Sequence, residues 1–152
     1  MYIHPITTEQ TMALRHAVLW PEKDISYVCL PEDAQGFHFG AFLPEFDQPA
    51  CILSLFVERP PAADGAMIYE GHENNAVRFR KFACDPAYRG RGIGTKLLEH
   101  IFAVSTSLWG ADVVWCDARA TTADWYQKRG MTTFGTPFFK GGLEYIRMQK
   151  RL

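Results

Sequence analysis

The run Val77-Arg78-Phe79-Arg80-Lys81-Phe82-Ala83-Cys84-Asp85-Pro86-Ala87-Tyr88-Arg89-Gly90-Arg91-Gly92-Ile93-Gly94-Thr95 decides how this chain is read. From Val77 to Cys84 apolar and basic residues alternate, with Val77, Phe79 and Lys81 on one parity and Arg78, Arg80 and Phe82 on the other, as in a strand. Beyond the glycines the period changes. Ile93, Leu97, Leu98, Ile101, Val104 and Leu108 recur at the three-to-four spacing of a helix. A glycine-rich turn that opens a helix leaves backbone N–H groups pointing outward. The helix dipole adds partial positive charge there, so a pyrophosphate is a natural occupant. Gly90, Gly92 and Gly94 let the backbone approach such an anion, and Arg89 and Arg91 add forked donors. The stretch reads as a phosphate cradle.

Spacing narrows the choice. A dinucleotide fingerprint needs G-x-G-x-x-G, and Thr95 stands where its third glycine belongs. A P-loop needs Lys before its Ser or Thr, and here Lys96 follows Thr95. What does match is the acyl-CoA loop of the GNAT acetyltransferase superfamily: Arg or Gln, two free positions, Gly, one free position, then Gly or Ala. Arg89-Gly90-Arg91-Gly92-Ile93-Gly94 satisfies each specified position, after the lead-in Asp85-Pro86-Ala87-Tyr88. A second, independent stretch, Ala123-Asp124-Trp125-Tyr126-Gln127-Lys128-Arg129-Gly130-Met131, resembles the superfamily's tyrosine-bearing helix end. Gly130 also suits a helix C-terminus after two basic residues. The resemblance covers Phe37 onward well and the first 36 residues loosely.

The resemblance implies an α/β fold: a single-layer, mixed, mostly antiparallel sheet of about seven strands flanked by helices. Its central strands, by analogy Val77–Cys84 and Ala111–Cys116, splay around the cofactor. It implies acetyl-CoA as co-substrate, an acetyl group moving to a primary amine on a small molecule by direct attack in a ternary complex. Cofactor binding then falls to the backbone of Phe82, Ala83 and Cys84, serving pantetheine and oxyanion, and to Arg89, Gly90, Arg91, Gly92, Ile93, Gly94 and Thr95. Tyr126 matches the superfamily's proton donor by position. A phenol of pKa about 10 can protonate a departing thiolate, whose conjugate acid resembles a thiol of pKa about 8.5, without itself being charged at neutral pH. The bland alternative for Trp125-Tyr126 is aromatic packing.

Other groups are harder to place. Relatives often carry a glutamate on the central strand, yet Val77 to Cys84 holds no carboxylate. Glu58, Glu70, Glu73, Glu144 and Tyr145 are candidates around the acceptor, and each also reads as a surface group; no general base is assigned. A histidine that similar proteins have near Tyr145 is absent. Asp117-Ala118-Arg119 stands where many relatives have Asn-Ala-Arg; Asp117 alters the hydrogen bonds there or pairs with Arg119. Arg78, Arg80 and Lys81 lean towards the CoA phosphates or face solvent.

With 152 residues, 47% hydrophobic and 22% charged, the sequence reads as one ordinary globular domain. A net charge of −1 creates no global field for nucleic acid. No apolar run approaches membrane-spanning length and Met1 begins no signal-peptide layout, so the expectation is no membrane and a cytoplasmic location. Cys29, Cys51, Cys84 and Cys116 are isolated in sequence, which reads as core packing with no metal and no disulfide. Analogy implies association into a homodimer through a strand edge. Competing functions are a CoA-binding module with little catalysis, suggested by the missing carboxylate, and a loop for another nucleotide.

Along the chain, Met1 to Pro5 reads as a strand, and Thr7 with Gln10 as a capping box for a helix reaching Leu19. Glu22 to Asp33 reads as irregular. Phe37–Leu43 and Cys51–Val57 read as strands, and Arg59–Asn75 as a long loop. Thr121–Arg129 reads as a short helix. Thr132–Phe138 and Leu143–Gln149 read as strands around Lys140-Gly141-Gly142.

Overall fold

Among the described residues, seven strands and three α-helices follow one another as β1 (Tyr2–Ile6), α1 (Met12–Leu14), β2 (Phe37–Phe42), β3 (Cys51–Val57), β4 (Ala76–Cys84), α2 (Ile93–Trp109), β5 (Val113–Arg119), α3 (Ala123–Gln127), β6 (Thr132–Lys140) and β7 (Leu143–Arg151). The computed structural model describes residues 1–61 and 75–152, so most of the loop expected before β4, with Glu70 and Glu73, lies outside the described residues. The strand order is β1-β2-β3-β4-β5-β7-β6. β4 and β5 are parallel, whereas β1–β2, β2–β3, β5–β7 and β6–β7 are antiparallel. This is the mixed, mostly antiparallel seven-stranded sheet that the resemblance implied. The chain divides into two compact units, Met1–Phe56 with Phe79–Ile101, and Val57–Arg78 with Phe102–Leu152.

In the first unit β2 and β3 are nearly all apolar and buried, as strands covered on both faces must be. Phe39, Ile52, Leu53 and Leu55 of these strands are buried, as is the stripe Ile93, Leu97, Leu98 and Ile101 of α2. The stripe then departs from the expected pattern: Leu108 is exposed, and Ser105 is buried instead. Thr7 and Gln10 form the capping box, the Thr7 N–H donating to Gln10 Oε1 at 2.9 Å and the Gln10 N–H to Thr7 Oγ1 at 3.2 Å. The helical run behind it, residues 9–19, passes from a 3-10 turn through α1 into a π turn. That turn carries Arg15, which is fully buried.

A buried guanidinium requires acceptors, and the two terminal amino groups of Arg15 have them while its Nε does not. Arg15 donates to both carboxylate oxygens of Asp33 at 2.9 Å, to the Val28 carbonyl at 3.1 Å and to Ser54 Oγ at 2.9 Å. Ser54 in turn lies 2.6 Å from His38 Nδ1, and His38 Nε2 lies 3.0 Å from the Asp33 carbonyl. A carbonyl only accepts, so Nε2 carries a hydrogen. Burial pushes the Asp33 carboxyl up, but the Arg15 hydrogen bonds and charge with the Leu30 N–H outweigh it, holding its pKa below the ordinary value.

In the second unit β5 is flanked by its parallel ladder to β4, three pairs long from Ala76↔Val113 to Arg78↔Trp115, and by a full antiparallel ladder to β7. Val113, Val114, Trp115 and Cys116 are all buried. The β6–β7 hairpin turns at Gly141-Gly142, both with positive φ. α3 ends as expected at Gly130, φ 92°, where the Gly130 N–H donates to the Gln127 carbonyl at 3.1 Å and the Met131 N–H to the Tyr126 carbonyl at 3.2 Å. This paired closure needs a left-handed residue, which glycine adopts without strain.

One expectation is overturned. Cys51 and Cys84 form a disulfide, with Cα atoms 4.0 Å apart. Cys51 opens β3 and Cys84 closes its neighbour β4, so sheet register brings together two residues far apart in sequence. Cys29 and Cys116 remain free, and Cys116 is core packing as expected.

Thiol titration of denatured, unreduced protein should find only two reactive cysteines, and replacing the pair by serine should lower stability by about 2–4 kcal/mol in chemical denaturation. Asp33→Asn should cost about 3–5 kcal/mol because it leaves Arg15 buried without its counter-charge. Because folding lowers the Asp33 pKa, its contribution is present above the unfolded value of about 3.9 and is lost as pH falls through the folded value. Acid titration of wild type should therefore be steeper below pH about 4 than titration of the variant.

Candidate active site

The end of β4 leads into the glycine turn. Asp85 caps a 3-10 turn, its Oδ1 accepting from the Ala87 N–H at 2.9 Å, and Pro86–Tyr88 leads into the glycines. Gly90 and Gly92 have φ of 82° and 76°, and a Cβ at either would meet nothing within 4 Å. Glycine is therefore required by backbone conformation and not by crowding, and both face open space. The Lys96 N–H donates to the Gly92 carbonyl at 3.0 Å, which makes Gly92 the residue just ahead of the helix. Ile93 and Gly94 thus belong to the first turn of α2, whose apolar stripe anchors the helix while its amino end stays at the surface. Arg89 and Arg91 are exposed, and the Arg91 guanidinium lies 5.5 Å from the Tyr88 ring centroid.

β4 itself is irregular where the oxyanion donors were expected. The Glu58 N–H donates to the Ala76 carbonyl at 3.2 Å and the Asp85 N–H to the Ala50 carbonyl at 2.8 Å. Between these two bonds β4 contains one residue more than β3, which defines a bulge. Lys81, φ 56°, is the non-glycine residue with positive φ among the described residues. It marks the extra residue. Phe82, Ala83 and Cys84 follow the bulge, with Ala83 buried and Cys84 held to Cys51. The strand alternation alone carries no signal for this.

Tyr126 lies in α3 in the second unit and is buried, its ring edge-to-face with Trp125 at 5.2 Å between centroids. Arg129 lies over Trp125 at 3.7 Å and donates to its carbonyl at 2.8 Å, which fixes that part of the helix. Burial first, and the neighbouring Cys116 second, push the Tyr126 phenol well above its ordinary pKa. The Cys116 thiol is likewise pushed up, by burial first and then by Asp117.

Arg78 and Arg80 of β4 are engaged by carboxylates, where the sequence left phosphate and solvent open. Arg78 donates to Glu58 at 3.1 Å and to Asp117 at 2.8 Å, and Arg80 donates to Glu32 at 2.8 Å. Asp117 also lies 3.2 Å from Arg147 Nε. Its ionic partners are thus Arg78 and Arg147, although its place before Arg119 suggested a local pair. Glu58 is held by Arg78, Glu144 is exposed, and Tyr145 is buried against Phe138. Among the described residues no group of three or more His, Cys, Asp or Glu side chains is gathered to hold a metal. None of their helices is long and apolar enough to cross a membrane.

Comparison with known proteins completes the picture. Residues 39–132, more than half of the chain, match the family model of the acetyltransferase (GNAT) domain. YitI of Bacillus subtilis, an uncharacterised N-acetyltransferase, is 31% identical over 99% of this chain and 95% of its own. Among solved structures, a candidate N-acetyltransferase from Lactobacillus plantarum superposes with TM-score 0.77 at 22% identity over 100% of this chain and 99% of that one. A GNAT family acetyltransferase from Elizabethkingia anophelis, solved with acetyl-CoA bound, gives TM-score 0.67 at 15% identity over 99% and 97%. The family model over more than half of the chain and the full-length Bacillus relative show that the chain belongs to the GNAT acetyltransferase family and is an acetyl-CoA-dependent acyltransferase.

Proposed function

We propose that the chain transfers an acetyl group from acetyl-CoA to a primary amine on a small molecule, with the turn Arg89–Thr95 holding the cofactor's pyrophosphate. The observation that carries this reading is the left-handed, open backbone at Gly90 and Gly92 directly ahead of a helix, flanked by two exposed arginines. Partial positive charge at the helix start and two exposed cations give that turn a preference for a polyanion. Acetyl-CoA bound to the Elizabethkingia protein supports the same ligand here.

The chemistry sets three requirements, and residues of this chain are assigned to two of them. Backbone N–H groups of Phe82 to Cys84, re-aimed by the bulge at Lys81, are assigned to the pantetheine and to the oxyanion of the tetrahedral intermediate. Tyr126 is assigned as the proton donor to the leaving thiolate. Its raised pKa keeps the phenol protonated throughout the neutral range, so it enters the reaction as a donor. The remaining requirement is a neutral amine, since a free alkylamine of pKa about 10.4 is largely charged at pH 7. Self-association is assigned to the outer strand β6, where Phe139 is 73% exposed.

Calorimetric titration should show saturable binding of acetyl-CoA and none of ATP or NAD at the same concentration. Gly92→Leu places a side chain where the anion would come and in a backbone region L-residues avoid, and it should abolish that binding; retained affinity would remove the loop from the site. Tyr126→Phe should lower turnover by about 100-fold with acetyl-CoA affinity nearly unchanged. Wild-type turnover of that variant across the pH range excludes the proton-donor role.

A further inference from the structure

We propose that Arg147 sets acceptor specificity, gripping through its two terminal amino groups a carboxylate on the same small molecule that carries the amine, so that the acceptor is an amino acid or a close analogue. This rests on the amine-acetylating reading above and adds to it the class of substrate.

Arg147 is held on two sides. It lies in β7 opposite Asp117 of β5, and its Nε is 3.2 Å from Asp117 Oδ1. Its guanidinium stacks on the Phe138 ring at 4.5 Å. The backbone partner of Arg147 is Phe134, not Phe138. Phe138 comes within stacking distance through an irregularity in β6 between Phe134 and Phe138, a device that re-aims a side chain. Phe138 is itself stacked on Tyr145, with centroids 5.8 Å apart. One edge and one face of the guanidinium are thus fixed, and its terminal amino groups have no protein partner among the described residues. A planar fork fixed in this way is shaped for a carboxylate.

Charge balance accounts for Arg147 standing beside Asp117, since Arg78 is shared with Glu58, but it leaves the open amino groups of Arg147 without a role. Arg78 already donates to Asp117 at 2.8 Å, whereas the approach of Arg147 Nε is not aligned as a hydrogen bond, and both Asp117 Oδ1 and Arg147 Nε are buried without one. Gln149 Oε1, two residues along the same strand face, is likewise buried without a hydrogen-bond partner. A buried polar atom left without a hydrogen-bond partner calls for an explanation, and a polar ligand is one.

The sign of the surroundings favours a zwitterion. Along one face run Glu58, Arg78, Asp117 and Arg147, two carboxylates and two guanidiniums in alternation. The carboxylate of Glu58, 42% exposed, ends the row on the β3 side, and the guanidinium of Arg147, 18% exposed, ends it on the β7 side. A dianionic phosphate would meet two nearby carboxylates. A molecule with an ammonium and a single carboxylate meets a complementary group for each.

The test compares amines with and without a carboxylate: lysine with cadaverine, ornithine with putrescine, phenylalanine with phenethylamine. Wild type should favour at least one acid over its decarboxylated partner by about 100-fold in kcat/KM, and Arg147→Gln should collapse that ratio towards one. Arg147→Lys should recover part of it, and thermal melts check that the variants fold. Ligand-observed NMR of the N-acetylated acids and N-acetylated amines with the CoA-loaded protein gives a readout independent of turnover, with acid binding expected to wild type and not to Arg147→Gln. Equal use of acid and amine by wild type, or a parallel loss for both in Arg147→Gln, overturns the proposal. Acetyl-CoA binding with no acid acetylated or bound overturns it while the cofactor reading stands. If acetyl-CoA itself does not bind, the cofactor reading falls, and the NMR comparison without CoA still decides whether Arg147 holds a carboxylate.

Discussion

Two neighbouring strands that run parallel cannot be joined by a tight turn. The chain must travel back along the sheet before the second strand starts, and a helix is the compact way to do it. In this protein that constraint falls on β4 and β5, and α2 is the crossover. The start of α2 must then lie at the carboxyl end of β4, and its unpaired amides face outward there whatever the ligand. The glycines at 90 and 92 exploit a feature that the topology already demands. Every other described neighbour pair is antiparallel, so the one parallel ladder singles out where an anion can be held.

The same ladder explains why the loop was legible and its surroundings were not. Strand alternation, glycine spacing and helical period are local properties, and they locate β4, the cradle and α2 to within a residue or two. The capping box at Thr7 and Gln10 and the closure at Gly130 are local as well, and both appear with the expected partners. Register is not local. Cys51 and Cys84 look isolated until the antiparallel neighbourhood of β3 and β4 is known, although one opens its strand and the other closes the next. Arg78, Asp117 and Arg147 lie on three strands, and nothing in their own neighbourhoods announces that they form a row.

Buried charge shows the limit most clearly. Arg15 in a helical run resembles a solvent-facing residue, since the apolar period around it is loose. Its acceptors come from an irregular turn, Asp33 and the Val28 carbonyl, and from a strand, Ser54. A guanidinium costs several kcal/mol to desolvate, and it is tolerated because all of those acceptors converge. The bulge at Lys81 is comparable: one extra residue, invisible in composition, reorients the strand where cofactor contacts are proposed.

The position of β7 has a consequence for how the chain comes together during synthesis. β5 has a full ladder only with β7, and β7 follows α3 and all of β6 in the chain. Until those segments have left the ribosome, β5 exposes an apolar, unpaired edge. The strands of the first unit, β1 to β3, pair with their sequence neighbours and can close earlier. Domains emerging from the ribosome at about 5–20 residues per second would leave β5 waiting for seconds, and an open strand edge is the kind that recruits other chains.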